Sequence, residues 1–117
     1  MIRKAALVAL LAALLAATTA AQRPGPELVE LNRLIEGGNY EQALAGTEAW
    51  LRRRPADPQA LFLKGLALTG LERWSDAVAT FQKVLELEPG SSPALRNAGI
   101  ASYHLGRSGE AVSRFRN

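Results

Sequence analysis

A chain of 117 residues with 48% hydrophobic and 21% charged residues has the composition of one folded domain rather than a disordered segment. It has no cysteine, which excludes disulfides, thiolate metal sites, a cysteine nucleophile and a lipidated N-terminal cysteine. Its formal charge of +3 includes Arg3 and Lys4; without them 12 Lys and Arg face 11 Asp and Glu, and that balance of +1 is no electrostatic footprint for nucleic acid.

The first 21 residues form a separate unit. Arg3 and Lys4 precede an apolar run from Ala5 to Ala17, and Thr19 and Ala21 supply small residues before a cut at Gln22. A charged start, a short apolar core and a small-residue exit make a secretory signal peptide over 1–21. An uncleaved N-terminal anchor is the alternative, although the apolar run is short of the ~20 residues a spanning helix needs. Either way the rest of the chain, 22–117, is exported to the periplasm or envelope, because the Arg and Lys stay inside.

Beyond this segment the chain repeats itself. Ala43, Ala77 and Ala111 are spaced 34 residues apart, as are Leu44, Val78 and Val112, and Thr47, Phe81 and Phe115. Leu51 pairs with Leu85, Pro55 with Pro89, and Tyr40 with Trp74; upstream, Leu61, Gly65 and Leu71 match Leu95, Gly99 and Leu105. Three copies follow, at about 24–57, 58–91 and 92–117, the last incomplete.

Each copy reads as two helices. The segment from Glu27 carries Leu34 and ends at a Gly37–Gly38 turn, and Tyr40 opens a second helix that Pro55 stops. Asp57–Pro58 and Ser92–Pro93 read as helix starts, where a side-chain oxygen caps free N–H groups and proline has none to waste. Leu61, Leu68 and Leu71 recur at helical spacing, as do Ala77, Phe81, Val84 and Leu85. The stretch from His104 to Gly109 predicts the turn inside the third copy. Gly65 and Gly99 stand in mid-helix, where glycine costs about 1 kcal/mol relative to alanine. Opposite Ala77 and Ala111 they let two backbones approach closely while Phe81 and Leu61 fill the surroundings.

These residues resemble the tetratricopeptide repeat (TPR) family: Leu61, Gly65, Leu68, Ala77, Phe81 and Pro89 in the middle copy, then Leu95, Gly99, Ser102, Ala111 and Phe115. The resemblance covers residues 24–117 and implies an all-α, right-handed superhelix, an α-solenoid of about three antiparallel helix pairs. Its departures have readings of their own. Thr47 and Trp50 exchange sizes with Phe81 and Val84, conserving core volume. Glu27 and Glu30 make a wetter face on a first helix that no repeat precedes, and Arg53 in place of Leu87 loosens packing. The third copy stops at Asn117 without a terminal proline, so either the product continues or a partner or second copy covers the open end.

Chemistry is sparse. His104 is the only histidine, and without cysteine or clustered carboxylates it builds no usual metal site. Arg52, Arg53 and Arg54 read as cations at the negative end of a helix dipole, and Trp50 and Trp74 as packing residues. No nucleophile turn, phosphate loop or cofactor motif appears, so an enzyme is not expected.

The resemblance implies that the first helix of each pair lines a concave groove. By register that face presents Leu28, Val29, Asn32 and Ile35, then Phe62, Leu63, Leu66 and Thr69, then Arg96, Asn97, Ile100, Tyr103 and His104. The carboxylate clamp of some relatives is not implied: its sites hold Leu28, Asn32, Leu63, Pro93 and Asn97, and only the two asparagines fit. The apolar face suits a peptide or amphipathic helix of a protein partner; alternatively, further repeats of the protein itself bury part of it. The function expected is an exported scaffold for protein–protein interaction, or the N-terminal portion of a larger exported protein with an enzymatic or sensor domain downstream. Contact with a membrane is expected only through the N-terminal segment. Leu63→Glu with Ile100→Glu would then abolish partner capture while helicity survives.

Overall fold

The computed structural model describes residues 26–116, with side chains described from Glu27 to Ser108. The signal-peptide reading of 1–21 and the side chains of Ala111, Val112 and Phe115 lie outside the described residues. Among the described residues five helices follow one another: α1 (Pro26–Glu36), α2 (Tyr40–Arg53), α3 (Pro58–Gly70), α4 (Trp74–Leu87) and α5 (Ser92–Arg116). There is no strand among the described residues, and the all-α solenoid stands as expected.

The turns between paired helices are alike. After α1 the N–H of Gly38 donates to Ile35 O (3.0 Å) and that of Asn39 to Leu34 O (2.7 Å); after α3 the N–H of Glu72 donates to Thr69 O (3.0 Å) and that of Arg73 to Leu68 O (2.9 Å). Both are Schellman caps, which need one residue in the left-handed region. Gly38 supplies it freely at φ 79°, whereas Glu72 is held there at φ 59°.

The starts of α3 and α5 use a side-chain cap. Asp57 Oδ1 accepts from the N–H groups of Gln59 (3.1 Å) and Ala60 (3.4 Å), while its Oδ2 accepts from the Trp50 indole (2.8 Å). One carboxylate therefore caps α3 and satisfies the buried indole of α2. At α5 the cap is Ser91, whose Oγ accepts from Ala94 N–H (3.3 Å), rather than the Ser92 expected from its neighbouring proline. The 34-residue register explains the correction, since Ser91 and not Ser92 corresponds to Asp57.

α3 is the central helix, in contact with all four others, and it is apolar on nearly every side. One cluster joins Ala43 and Leu44 of α2, Ala67 and Leu68 of α3, Ala77 and Phe81 of α4 and Ala101 of α5. A second joins Leu28 and Leu31 to Trp50, Ala60 and Leu63, and a third joins Leu61, Val84 and Ala94. Ala60, Ala67, Ala94 and Ala101 are fully buried. They stand 34 residues apart in two pairs, on the face where each pair meets the one before it.

Within the second pair, a Cβ added to Gly65 would lie 2.5 Å from Phe81 Cε1, so the missing side chain is what admits the ring. The first pair reverses the sizes: Leu31 holds the register of Gly65, Thr47 that of Phe81, and Leu31 lies against Gly46. The size exchange thus runs across the pair as well as along α2.

Glu27 and Glu30 are exposed on the first helix, and Glu27 also forms an ion pair with Arg53 of the same helix pair (2.9 Å). Two sequence readings change. Arg53 loosens nothing, because Leu87 at its register position is itself 45% exposed. The third copy also differs, for α5 runs unbroken through the expected turn at 104–109. Extending an existing helix adds one hydrogen bond per residue fixed, whereas a reversed helix must be nucleated afresh.

Asp57→Ala should therefore cost about 2–3 kcal/mol, combining about 1 for the cap with the unsatisfied indole N–H. Denaturant unfolding checks this, and a Trp50→Phe background should recover much of the loss. Glu72→Gly should raise stability by up to about 1 kcal/mol, because it relieves left-handed strain. A thermal melt displaced downward would contradict that.

Candidate partner-binding groove

The first helices of the pairs, α1, α3 and α5, lie side by side through contacts of α3 with each neighbour. Two open depressions run along them. One, of about 360 Å³, is lined by Leu28, Val29 and Asn32 of α1 and by Gln59, Phe62 and Leu63 of α3. The other, of about 440 Å³, is lined by Asp57, Pro58, Gln59 and Phe62, by Val84 of α4 and Glu88 just after it, and by Ser91 and Pro93. Gln59 and Phe62 line both, so the depressions are neighbours.

The structure sorts the predicted groove residues into three groups. Leu28, Asn32, Phe62 and Leu63 come together around the first depression. Leu28 and Leu63 are only 4% and 5% exposed, packed with Leu31, Trp50 and Ala60. They form a floor that belongs to the core, and the accessible apolar contacts beside them are Val29 and the half-buried Phe62. Ile35 and Leu66 are likewise half-buried and packed against the core clusters. On α5, Arg96, Ile100 and Tyr103 are exposed and border neither depression.

The two asparagines are engaged on their own helices. Asn32 Nδ2 donates to Glu36 Oε1 (3.0 Å) and Asn97 Nδ2 to Pro93 O (2.8 Å). Neither side chain is poised as a carboxylate donor.

His104 does not face the groove. Its ring stacks on Trp74 at 4.3 Å and 13°, with Tyr103 edge-on to it at 5.6 Å. Register explains the placement: Trp74 and His104 repeat Tyr40 and Gly70, where a Cβ added to the glycine would collide with the tyrosine ring. In both repeats the leading aromatic of a second helix rests on the residue at the same register of the next first helix. His104 is therefore part of the contact that seats α5 on α4.

Sequence reasoning missed Asp57, Gln59, Val84 and Glu88 as groove residues. A signal was present, in that Val84 is much smaller than the Trp50 it replaces in register. A third depression, of about 500 Å³, lies between α1 and α2 around Leu31, Gly46, Ala49 and Trp50, rimmed by the Glu27–Arg53 ion pair. The guanidinium carbons of Arg53 and Arg54 lie 5.4 and 4.8 Å from the Trp50 ring centre, so two of the three successive arginines cover an aromatic face. Among the described residues no group of three His, Cys, Asp or Glu side chains is gathered as for a metal ion. No described helix is long and apolar enough to cross a membrane.

A tetratricopeptide repeat family model matches residues 28–92 and, overlapping it, 67–116. The chain belongs to the TPR family, whose repeats generally mediate protein–protein interaction on a fold that is typically a non-catalytic scaffold. No curated protein and no solved structure matches the chain.

The burial of Leu63 yields a direct test. Leu63→Glu should destabilise the domain by more than about 4 kcal/mol, because it places an unpaired charge in the core. Far-UV circular dichroism should show lost helicity at 25 °C. A fully helical Leu63→Glu variant would contradict the core assignment.

Proposed function

We propose that this protein is an exported scaffold that holds a helix or extended peptide of a protein partner against α1, α3 and α5. The observation that carries this reading is the pair of neighbouring depressions that share Phe62 and are lined by both apolar and polar side chains. Val29 of α1 and Ile100 of α5, each 45% exposed, add apolar area on helices that line the concave face by register. An apolar side chain of the partner that becomes fully buried there contributes about 1.5–3 kcal/mol.

Export rests on the character of residues 1–21, a charged start followed by a short apolar run and a small-residue exit. We place the folded domain in the periplasm or envelope, with membrane contact only through that segment. No catalytic role is assigned, and the one histidine is occupied in stacking on Trp74. The near-neutral balance of residues 22–117 argues against a nucleic-acid partner.

A second reading, that the TPR domain is one portion of a larger exported protein, draws support from α5. Leu95 is 54% exposed, whereas Leu61 at the same register is buried against α4. Further helices would cover that face. The intact mass of the protein isolated from its source separates the two readings.

The pair Val29→Asp and Ile100→Asp tests the groove without touching the core. Binding to a partner retained from envelope extracts should weaken at least tenfold, about 1.4 kcal/mol, while helicity and melting temperature stay near those of the unaltered chain. A partner held equally well by the double variant would place the contact elsewhere.

A further inference from the structure

Part of the lining of the depression between α3 and α5 has a described counterpart one repeat earlier, and there a larger side chain takes the central position. Val84 stands at the register of Trp50, Ser91 at that of Asp57 and Glu88 at that of Arg54. In the first repeat the indole of Trp50 occupies the place, its Nε1–H donating to Asp57 Oδ2 at 2.8 Å, with Arg54 over the ring. In the second, Val84 is buried against Leu61 and Ala94, a carboxylate replaces the cation, and a depression of about 440 Å³ lies open beside them. The first repeat thus shows what such a place accommodates: a flat side chain with N–H donors at its edge.

Charge selects among such side chains. Asp57 and Glu88 both line the depression and no Lys or Arg does. Asp57 is already engaged by three N–H groups, two from the backbone and one from the indole. Glu88 is exposed and enters no ion pair among the described residues.

We propose that this depression receives an arginine side chain of the partner segment, next to an apolar residue seated between α1 and α3. This rests on the groove reading above. A planar guanidinium lies against the Phe62 ring, its methylene stem covers Pro58 and Pro93, and its N–H fork donates to the Glu88 carboxylate. Lysine has the charge without the plane, and tryptophan has the plane without the charge. The recognition is opposite in sign to a clamp for C-terminal carboxylates, and it agrees with the absence of Lys and Arg from both depressions.

A random twelve-residue peptide display library, selected on the full chain, tests the assignment. Enriched peptides should carry Arg within four residues of Leu, Ile or Phe. Their binding should fall at least tenfold on Glu88→Lys and on Val84→Trp, which fills the depression from within. Should Val84→Trp fail to fold, Glu88→Lys at an exposed site carries the test alone. Three results overturn the arginine assignment while leaving the groove reading in place: apolar peptides without Arg, peptides with Lys or Trp in its stead, or Arg peptides indifferent to Glu88→Lys. Peptides indifferent to Val29→Asp with Ile100→Asp, or no enrichment at all, would overturn the groove reading and this proposal with it.

Discussion

Everything in this molecule depends on helices approaching closely where side chains are missing. Ala60 and Ala67 let α3 settle onto the first helix pair, and Ala94 and Ala101 let α5 settle onto the second; all four are fully buried. Inside the second pair Gly65 leaves room for Phe81, whose ring meets Phe62 at 5.8 Å. A helix pair cannot bury its apolar stripe alone, so stability comes from repeating these contacts along the stack.

The same register that repeats the core allows the surface to vary. Trp50 and Val84 occupy one position in successive repeats, and the difference between them separates a filled place from an open depression. Leu31 with Thr47, against Gly65 with Phe81, shows the opposite case, in which a size change is compensated across the pair. At Val84 the loss of the indole is met only in part, by Phe62, which holds the register of Leu28 and packs against the cluster of Leu61, Val84 and Ala94, and a depression stays open beside them.

Much of this was legible in the sequence. Spacing alone placed the turn at Gly38, the stops at Pro55 and Pro89, and the close approach at Gly65, because each is a local demand met by a residue type. Burial of Leu28 and Leu63 was not legible. Both stand on the face that register assigns to the groove, and only the three-dimensional arrangement shows that Leu31, Trp50 and Ala60 close over them. His104 was misplaced for a similar reason: its partner Trp74 belongs to another helix, and the clue lay in the Tyr40–Gly70 contact one repeat earlier. The continuous α5 escaped because Gly106 and Gly109 carry a turn signal that helix propagation overrides.

The central claim is that the face of α1, α3 and α5 takes the partner. Site-specific photo-crosslinking tests it most directly. A benzophenone amino acid replaces Val29 on the inner face in one variant and the exposed Ala79 of α4 on the outer face in another. The account predicts partner adducts from position 29 and none from position 79; adducts from position 79 alone would contradict it.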